Sequence, residues 1–477
     1  MSELCELDAV ELRRLIGLKK ISPVELLESC LARIEAVNPT LNAVVATCVE
    51  RAREEAQTAE DEVMQGDELG PLHGLPIGIK DLNATEGLRT TFGSLLYENN
   101  VPEQDERVVE TIRDAGGIVL GKTNTPEFGA GANTRNRVYG ATGNPFDPTL
   151  TCAGSSGGSA AALATDMMPL ASGSDFGGSL RTPAGFCGVV GFRPSPGTVP
   201  SETKPIGLTP VSVQGPMGRN VADTALLLSA MIDEDPRDPF SRPMDPGLLM
   251  ALETVDMSSM RLGYSEDLGC APVDNAIRAV FRDRMAKLSP LFGLAEPCDP
   301  DLGPAHEVFE IIRGVNFIAA HKDRVANHRD KLGPNVVDNV DRALQYSAAD
   351  VAWANVEQTK LYRRFLDLFD HIDVLVCPAC SVSPFPHEEW SVSEINGEKM
   401  DTYMRWLAIS YGITLTTHPV AVIPCGVDAK GLPFGIQIVG PVMGDRLVLE
   451  VAHSIERAVA GDKELARPLP DLTKLGS

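Results

Sequence analysis

Two short segments rich in glycine and serine, separated by one helix-forming run, constrain the fold of this chain most. The first spans residues 153–159 (Ala-Gly-Ser-Ser-Gly-Gly-Ser) and the second spans 173–181 (Gly-Ser-Asp-Phe-Gly-Gly-Ser-Leu-Arg). Between them, 160–164 favours a helix and 168–172 favours a strand. A helix of about ten residues advances ~15 Å, and a strand of about five residues returns ~16 Å. We therefore expect the two segments to end side by side, with Ser155 near Ser179.

The residues that meet in this way have the chemistry of acyl transfer. A serine hydroxyl is a weak nucleophile until a base takes its proton, and no histidine lies near either segment in the sequence. Lysine serves as that base where desolvation keeps it neutral, and Lys80 ends the apolar run 75–80. A second serine can relay the proton in Ser-Lys variants of the catalytic triad. A lone Gly-Gly-Ser would favour a simple tight turn, but the full constellation is much more specific.

Successive glycines in the second segment leave backbone N–H groups free to point inward, as an oxyanion hole for acyl transfer requires. The predicted donors are the N–H groups of Phe176, Gly177, Gly178 and Ser179.

Composition excludes several classes of function. The 477 residues carry 42 Lys and Arg against 66 Asp and Glu, a net charge of −24. Direct nucleic-acid binding needs a basic footprint, so a chain this acidic is a poor candidate for it. No apolar run reaches the ~20 residues that span a bilayer, and an acidic N-terminus is atypical of a secretory signal. The expectation is a cytoplasmic protein with no membrane contact.

A nucleotide-binding loop is suggested by residues 116–123 (Gly-Gly-Ile-Val-Leu-Gly-Lys-Thr), which match the P-loop pattern letter for letter. The mechanism of that loop requires a strand before it and a helix after it. Here a helical pattern precedes Gly116, the supposed loop contains strand-forming residues, and Pro126 interrupts the following helix. The pattern is therefore interpreted as a strand and not as a phosphate site.

Cysteine and histidine spacing indicates neither a redox centre nor a metal site. Cys377 and Cys380 match Cys-x-x-Cys, but no helix pattern follows Cys380 to lower the pKa of a thiol. We interpret the pair as the end of a buried strand at 372–376 that runs into a proline-rich loop. The histidines form no cluster with metal-ligand spacing. No metal and no cofactor are predicted.

Helical patterns alternating with short apolar strands predict a single α/β domain. Residues 1–65 form its N-terminal helical part, and 66–230 form its core. The stretch 240–370 is more charged and mostly helical, and is predicted to be a variable substrate-determining region or lid. Two buried strands at 420–426 and 431–439 are expected to form a hairpin before a final helix at 445–459.

The chain resembles the amidase signature family over most of its length, and most densely between residues 70 and 225. The matching segments are 73–81 (His-Gly-Leu-Pro-Ile-Gly-Ile-Lys-Asp), 121–129, 144–147, 154–159, 173–184, 188–194, 423–426 and 431–437. This resemblance also accounts for the apparent P-loop, because Gly-Lys-Thr-Asn belongs to the family's own pattern.

The resemblance implies a Ser–cis-Ser–Lys triad in which Ser179 is the nucleophile, Ser155 the relay and Lys80 the base. Asp175, Arg181 and Ser156 are expected to support this triad, the first two as an ion pair. The implied fold is an α/β/α domain around a twisted, mixed, mostly parallel sheet of about eleven strands. The chain departs from the family pattern at Ala153, where glycine is usual, and at Phe176, where threonine is frequent.

The implied activity is hydrolysis of a small-molecule amide through an acyl-enzyme, with a homodimer as a family-level expectation. The alternative is the glutaminase subunit of a tRNA-dependent amidotransferase, in which a partner would bind the RNA. The segments around Phe176 and Cys377 look more like those of general amidases. A non-catalytic binding protein is a third class, disfavoured by the intact triad positions. Phe309, Phe317, Trp353, Trp390 and Trp406 are candidates for an apolar substrate site, although each is individually more typical of a core.

Overall fold

Helices and strands alternate along the chain in the computed structural model, which describes residues 3–476. The α-helices of this range are α1 (Ala9–Gly17), α2 (Pro23–Leu41), α3 (Val49–Gln65), α4 (Arg107–Asp114), α5 (Gly157–Ala164), α6 (Arg181–Cys187), α7 (Val221–Met231), α8 (Asn275–Leu288), α9 (Ala305–His328), α10 (Pro334–Ala343), α11 (Ala348–Leu368), α12 (Ala408–Thr414) and α13 (Asp445–Val459).

One large mixed sheet runs through the molecule. Its strands are β1 (Val44–Thr47), β2 (Pro76–Lys80), β3 (Ile118–Thr123), β4 (Leu170–Asp175), β5 (Val190–Arg193), β6 (Val213–Gly218), β7 (Arg261–Tyr264), β8 (Leu294–Pro297), β9 (Val374–Pro378), β10 (Val420–Val427) and β11 (Pro433–Val439). Their order across the sheet is β1-β3-β2-β4-β6-β5-β10-β11-β9-β7-β8, which confirms the predicted eleven strands.

The balance of strand directions differs from the expected mostly parallel pairing. Among the described strands, β2 is parallel to β3 and β4, and β7 is parallel to β8 and β9. The other six pairings, including all of those in the centre, are antiparallel. The sequence did not reveal these directions because strands that are buried on both faces are continuously apolar, whether their neighbours run parallel or antiparallel.

Two groups of helices bury the sheet. Helix α7 packs on β6 and contacts α13, and both present apolar side chains to the larger buried cluster. Helices α5 and α6 pack on each other and on the central strands, and every residue of both helices is buried. Full burial explains the composition of α5, Gly-Gly-Ser-Ala-Ala-Ala-Leu-Ala, because small side chains let this helix approach the strands closely.

The stretch 240–370 is more than an insertion of helices. It contains α8 to α11, as its periodicity predicts, but it also supplies β7 and β8 at one edge of the sheet. Its apolar runs are too short to be recognised as strands in a charged sequence. The role of this region in substrate selection stays a prediction.

The two misleading motifs have structural explanations. Gly121 and Lys122 lie within the buried strand β3, so the P-loop pattern does not form a loop, as the neighbouring sequence predicted. Cys377 lies in β9 as interpreted from the sequence, and burial raises the pKa of its thiol to about 12.

Within residues 3–476, no helix is long and apolar enough to cross a bilayer, and no group of metal-ligating side chains is found.

Gly158 in α5 tests how closely this helix is packed. A Cβ at this position would lie 2.8 Å from the carbonyl oxygen of Ala43 and still closer to the backbone nitrogen of Asn124. Although alanine is the better helix former, we expect Gly158→Ala to lower the free energy of unfolding by about 1–3 kcal/mol through overpacking. Thermal unfolding measures this as a lower Tm.

The matched control is Gly461→Ala, because a Cβ at Gly461 would meet nothing within 4 Å. That change should alter stability by no more than about 0.5 kcal/mol. Equal effects of the two substitutions would contradict the packing argument.

Candidate active site

Lys80 is the centre of a buried cluster of hydroxyl groups. It ends β2, is completely inaccessible to solvent, and directs its Nζ towards three serines. The Nζ lies 2.8 Å from the Oγ of Ser155, 2.8 Å from the Oγ of Ser156 and 2.9 Å from the Oγ of Ser174. The structure thus brings two of the predicted catalytic residues into direct hydrogen-bonding contact.

The environment of Lys80 favours the neutral amine. Burial lowers the pKa of Lys80 to about 7, and the negative charge of Asp175 only partly opposes this shift. The hydrogen bonds fit either protonation state. An ammonium group donates to all three hydroxyls, whereas an amine donates to two of them and accepts a hydrogen bond from the third through its lone pair.

The chain reaches this cluster through the tight turn before α5. Ala153 has a left-handed backbone with φ of 61°, the Gly154–Ser155 peptide bond is cis as the family resemblance implies, and α5 begins directly after Ser156. The backbone N–H of Ser156 donates to the carbonyl oxygen of Ser179 at 3.2 Å. That bond joins the two glycine–serine segments and confirms that they lie side by side.

Ser179 lies on the wall of a cavity that Ser155 and Ser174 also line. No hydrogen bond joins its hydroxyl to Ser155 among the residues that the structure describes. Catalytic hydrogen bonds are often long in enzymes without substrate and tighten when substrate binds, so this geometry is compatible with a triad.

The loop that carries Ser179 depends on Gly178. This glycine has φ of +123°, and a Cβ would lie 2.6 Å from the Cβ of Ser410. Its N–H donates to Asp175 Oδ1 at 2.9 Å, which corrects the predicted oxyanion hole because this donor is already paired. The N–H groups of Phe176, Gly177 and Ser179 have no such partner within residues 3–476.

Asp175 holds the loop through two arginines instead of the single one expected. Its carboxylate accepts from Arg181 Nε at 3.0 Å and from Arg193 Nη1 at 3.1 Å, and all three side chains are fully buried. Burial alone would raise the pKa of Asp175, but the two guanidinium groups hold that pKa well below its usual range. The carboxylate also accepts from the N–H of Leu180 at 3.2 Å. Asp175 therefore fixes the backbone on both sides of Ser179.

The cavity beside Ser179 measures about 130 Å³, and both polar and apolar side chains line it. Phe128 and Leu82 come from the N-terminal half of the chain, while Phe317, Met404 and Leu407 come from the C-terminal half. Of the aromatic residues that composition suggested, Phe317 lines the cavity. Phe309 packs behind Phe176, Trp406 is buried in the core, and Trp353 and Trp390 are exposed.

Sequence reasoning missed Ser174, Arg193 and Arg313. Ser174 had a detectable signal, because it lies in the second glycine–serine segment directly before Asp175. In the structure it shares a strand face with Ser172, whose Oγ accepts from the backbone N–H of Lys80 at 3.0 Å. Arg193 ends β5, which lies two places from β4 in the sheet, and Arg313 reaches the cavity from α9. Those two had no local signal.

Comparison with known proteins identifies the family of this chain. The amidase family matches residues 25–449. The chain belongs to the amidase family. An acylamidase from Rhodococcus erythropolis is 33% identical over 454 residues, which cover 94% of this chain and 95% of that protein. This amidase therefore hydrolyses amides and has the amidase signature fold.

Two further comparisons bear on the activity of this amidase. A bacterial aryl acylamidase of the amidase signature family overlays with a TM-score of 0.88 and 29% identity, covering 96% of this chain and 97% of that one. A component of the glutamyl-tRNA(Gln) amidotransferase from a Picosynechococcus species is 32% identical over 470 residues, 93% of this chain and 96% of that protein. The chain is thus similar to amidases and to an amidotransferase component at nearly the same level.

Asp175→Asn tests the role of the buried carboxylate. Two guanidinium groups would lose their counter-charge in a site without solvent, and breaking a buried ion pair costs about 3–5 kcal/mol. We expect a corresponding fall in Tm together with loss of activity, because the loop around Ser179 loses its anchor. Asp341→Asn is the control, since Asp341 forms an exposed pair with Arg329 at 2.7 Å and should contribute at most about 1 kcal/mol. Similar losses of stability in both variants would refute the anchoring role.

Proposed function

We propose that this amidase cleaves a linear carboxylic amide through an acyl-enzyme on Ser179. The observation that carries the proposal is the buried Lys80, whose Nζ lies 2.8 Å from Ser155 in the cavity wall that also holds Ser179. A desolvated amine is a base near neutral pH, and a serine between base and nucleophile can relay a proton.

In the first half-reaction, Ser179 Oγ attacks the amide carbonyl. Its proton passes to Ser155, and the proton of Ser155 passes to the Lys80 amine. The C–N bond then breaks as the leaving nitrogen takes a proton back through Ser155, which releases ammonia or an amine. Water attacks the acyl-enzyme by the same relay and releases the carboxylate.

The oxyanion of the tetrahedral intermediate is proposed to accept hydrogen bonds from the N–H groups of Phe176, Gly177 and Ser179. Preorganised donors of this kind stabilise negative charge where it develops. The proposal leaves out Gly178, whose N–H donates to Asp175 at 2.9 Å. Gly178 supports the hole through its left-handed backbone, which lets the neighbouring N–H groups converge. Ser156 and Ser174 support the relay by accepting hydrogen bonds from Lys80.

A second candidate function is the glutaminase subunit of a tRNA-dependent amidotransferase, and the 32% identity to such a component favours retaining it. The two functions predict different behaviour of the purified chain. An amidase hydrolyses amides alone, whereas the glutaminase co-purifies with a stoichiometric partner and supports ATP-dependent transamidation. We favour the amidase, in the cytoplasm and as a homodimer, with a small-molecule amide as its substrate and without direct contact with nucleic acid or a membrane.

Replacement of the triad serines tests the mechanism. We expect Ser179→Ala to lower kcat by at least about 10⁴-fold and to abolish labelling by a fluorophosphonate, because no other group replaces the nucleophile. Ser155→Ala should lower kcat by about 10²–10⁴-fold, the usual contribution of general acid–base catalysis. Intact-mass spectrometry and steady-state kinetics on a panel of aliphatic and aryl amides measure both effects.

Ser156→Ala is the matched control, because Ser156 is as close to Lys80 as Ser155 is but does not line the cavity. It should cost no more than about tenfold, the value of one hydrogen bond. A larger loss for Ser156→Ala than for Ser155→Ala would show that Ser155 is not the relay. Full activity of Ser179→Ala would refute the mechanism.

The pH profile tests the protonation state of Lys80. Because burial lowers the pKa of Lys80 to about 7, the neutral amine accumulates as pH rises through 7. We expect kcat/KM to increase about tenfold per pH unit below that pKa and to level off above it. The rate of fluorophosphonate inactivation should show the same inflection, since it needs no substrate amide. A rate that keeps rising up to the usual lysine pKa of about 10.4 would show that Lys80 is protonated at neutral pH.

A further inference from the structure

Arg313 is a buried cation in the cavity without a counter-charge. It projects from α9, is only 5% exposed and lines the cavity that holds Ser179. No carboxylate oxygen within residues 3–476 lies within 4.0 Å of its guanidinium nitrogens. Most buried charges are paired, because an isolated one has lost its hydration without compensation.

Neutral neighbours fix the orientation of the Arg313 side chain. Its Nε donates to Asn339 Oδ1 at 3.0 Å, and its Nη2 donates to the hydroxyl of Tyr403 at 2.9 Å. Asn339 also donates to the Tyr403 hydroxyl at 2.6 Å, which ties the two partners together. A guanidinium has five N–H donors, so these two contacts leave the rest of them for a ligand.

Aromatic rings surround the guanidinium and connect it to the reaction centre. The guanidinium carbon lies 4.4 Å from the ring centroid of Phe317 and 5.4 Å from that of Phe176. Both rings line the cavity, and Phe176 shares the glycine-rich loop of Ser179. These rings stabilise a cation, but they offer no hydrogen-bond acceptor in the plane of the guanidinium. The remaining N–H groups therefore favour an anionic ligand in the cavity.

We propose that Arg313 binds a carboxylate of the substrate, so that the preferred substrate is a short amide that carries a carboxylate. Arginine matches a carboxylate through two parallel hydrogen bonds, and a buried, preoriented guanidinium makes that pair specific. Arg313 and Ser179 line the same cavity of about 130 Å³, which favours a short substrate with its carboxylate a few bonds from the amide. This inference rests on the proposed acyl-enzyme at Ser179 and adds the substrate class.

Two pairs of substrates test the proposal and identify the side of the amide that carries the charge. Glutaramic acid against glutaramide places the carboxylate on the acyl side, and N-butyrylglycine against N-butyrylethylamine places it on the amine side. We expect wild-type kcat/KM to favour the anionic member of one pair by at least about tenfold, the value of one charged hydrogen bond. Absence of a preference in both pairs would overturn the proposal.

Arg313→Met removes the charge and keeps an unbranched chain. We expect the ratio of kcat/KM between the anionic and the neutral substrate to fall by at least about tenfold, so that the preference for the anionic substrate is lost. Arg313→Lys should restore part of the ratio. Arg324→Met is the matched control on the same helix, since Arg324 also lies over aromatic rings but does not line the cavity. A loss of equal size for anionic and neutral substrates in Arg313→Met would assign Arg313 a role in the cavity wall only.

A binding measurement separates this proposal from the proposed function. Glutarate should raise the Tm of the wild-type protein and of Ser179→Ala, but not that of Arg313→Met. If no amide is hydrolysed and Ser179 is not labelled, while glutarate still stabilises the wild type, the proposed reaction fails and the carboxylate site stands. If neutral amides are hydrolysed through Ser179 and glutarate gives no stabilisation, only the carboxylate site fails.

Discussion

The removal of Lys80 from water is the constraint on which the rest of the site depends. A lysine amine acts as a base at neutral pH only where its charged form is disfavoured, and complete burial at the end of β2 supplies that condition. The same burial would be costly without acceptors, and three serine hydroxyls within 2.9 Å provide them. Two of these serines come from the turn before α5 and one from β4. The parallel arrangement of β2 beside β4 is therefore required for the chemistry and not only for the fold.

The carboxylate of Asp175 lies near Lys80, but it does not return the pKa of the lysine to its usual value. Asp175 is also fully buried and its negative charge raises the pKa of the lysine, but burial of the lysine outweighs this effect, and Arg181 and Arg193 pair with the carboxylate directly. The carboxylate then acts on geometry. By accepting from the N–H of Gly178, it draws one donor away from the cavity and fixes the curve of the loop that presents Ser179.

The local parts of this site could be predicted from the sequence, and the long-range parts could not. Glycine spacing and helix propensity placed Ser155 beside Ser179, and the strand pattern placed Lys80 at the end of β2. The failure of the P-loop pattern was also predictable, because it depends on elements next to it in the chain. The direction of the central strands was not predictable, since burial on both faces removes the alternation that distinguishes them. Arg193 and Arg313 were missed for a related reason, as only tertiary contacts bring them to the site.

The residues proposed for the chemistry of this amidase and the residues proposed for its specificity come from different parts of the chain. The proposed base, relay serine and nucleophile, and the loop anchored by Asp175, all come from residues 66–230. The opposite wall, which includes Arg313, Phe317, Met404 and Leu407, comes from the C-terminal half. Changes in that wall alter which group fits beside Ser179 without moving a proton-transfer residue. Relatives with different named activities can therefore share the reaction centre, and identity over the whole chain does not reveal the substrate. In this chain, Arg313 indicates the substrate better than sequence identity does, because it is a buried cation that lines the cavity beside Ser179 and has no carboxylate partner within residues 3–476.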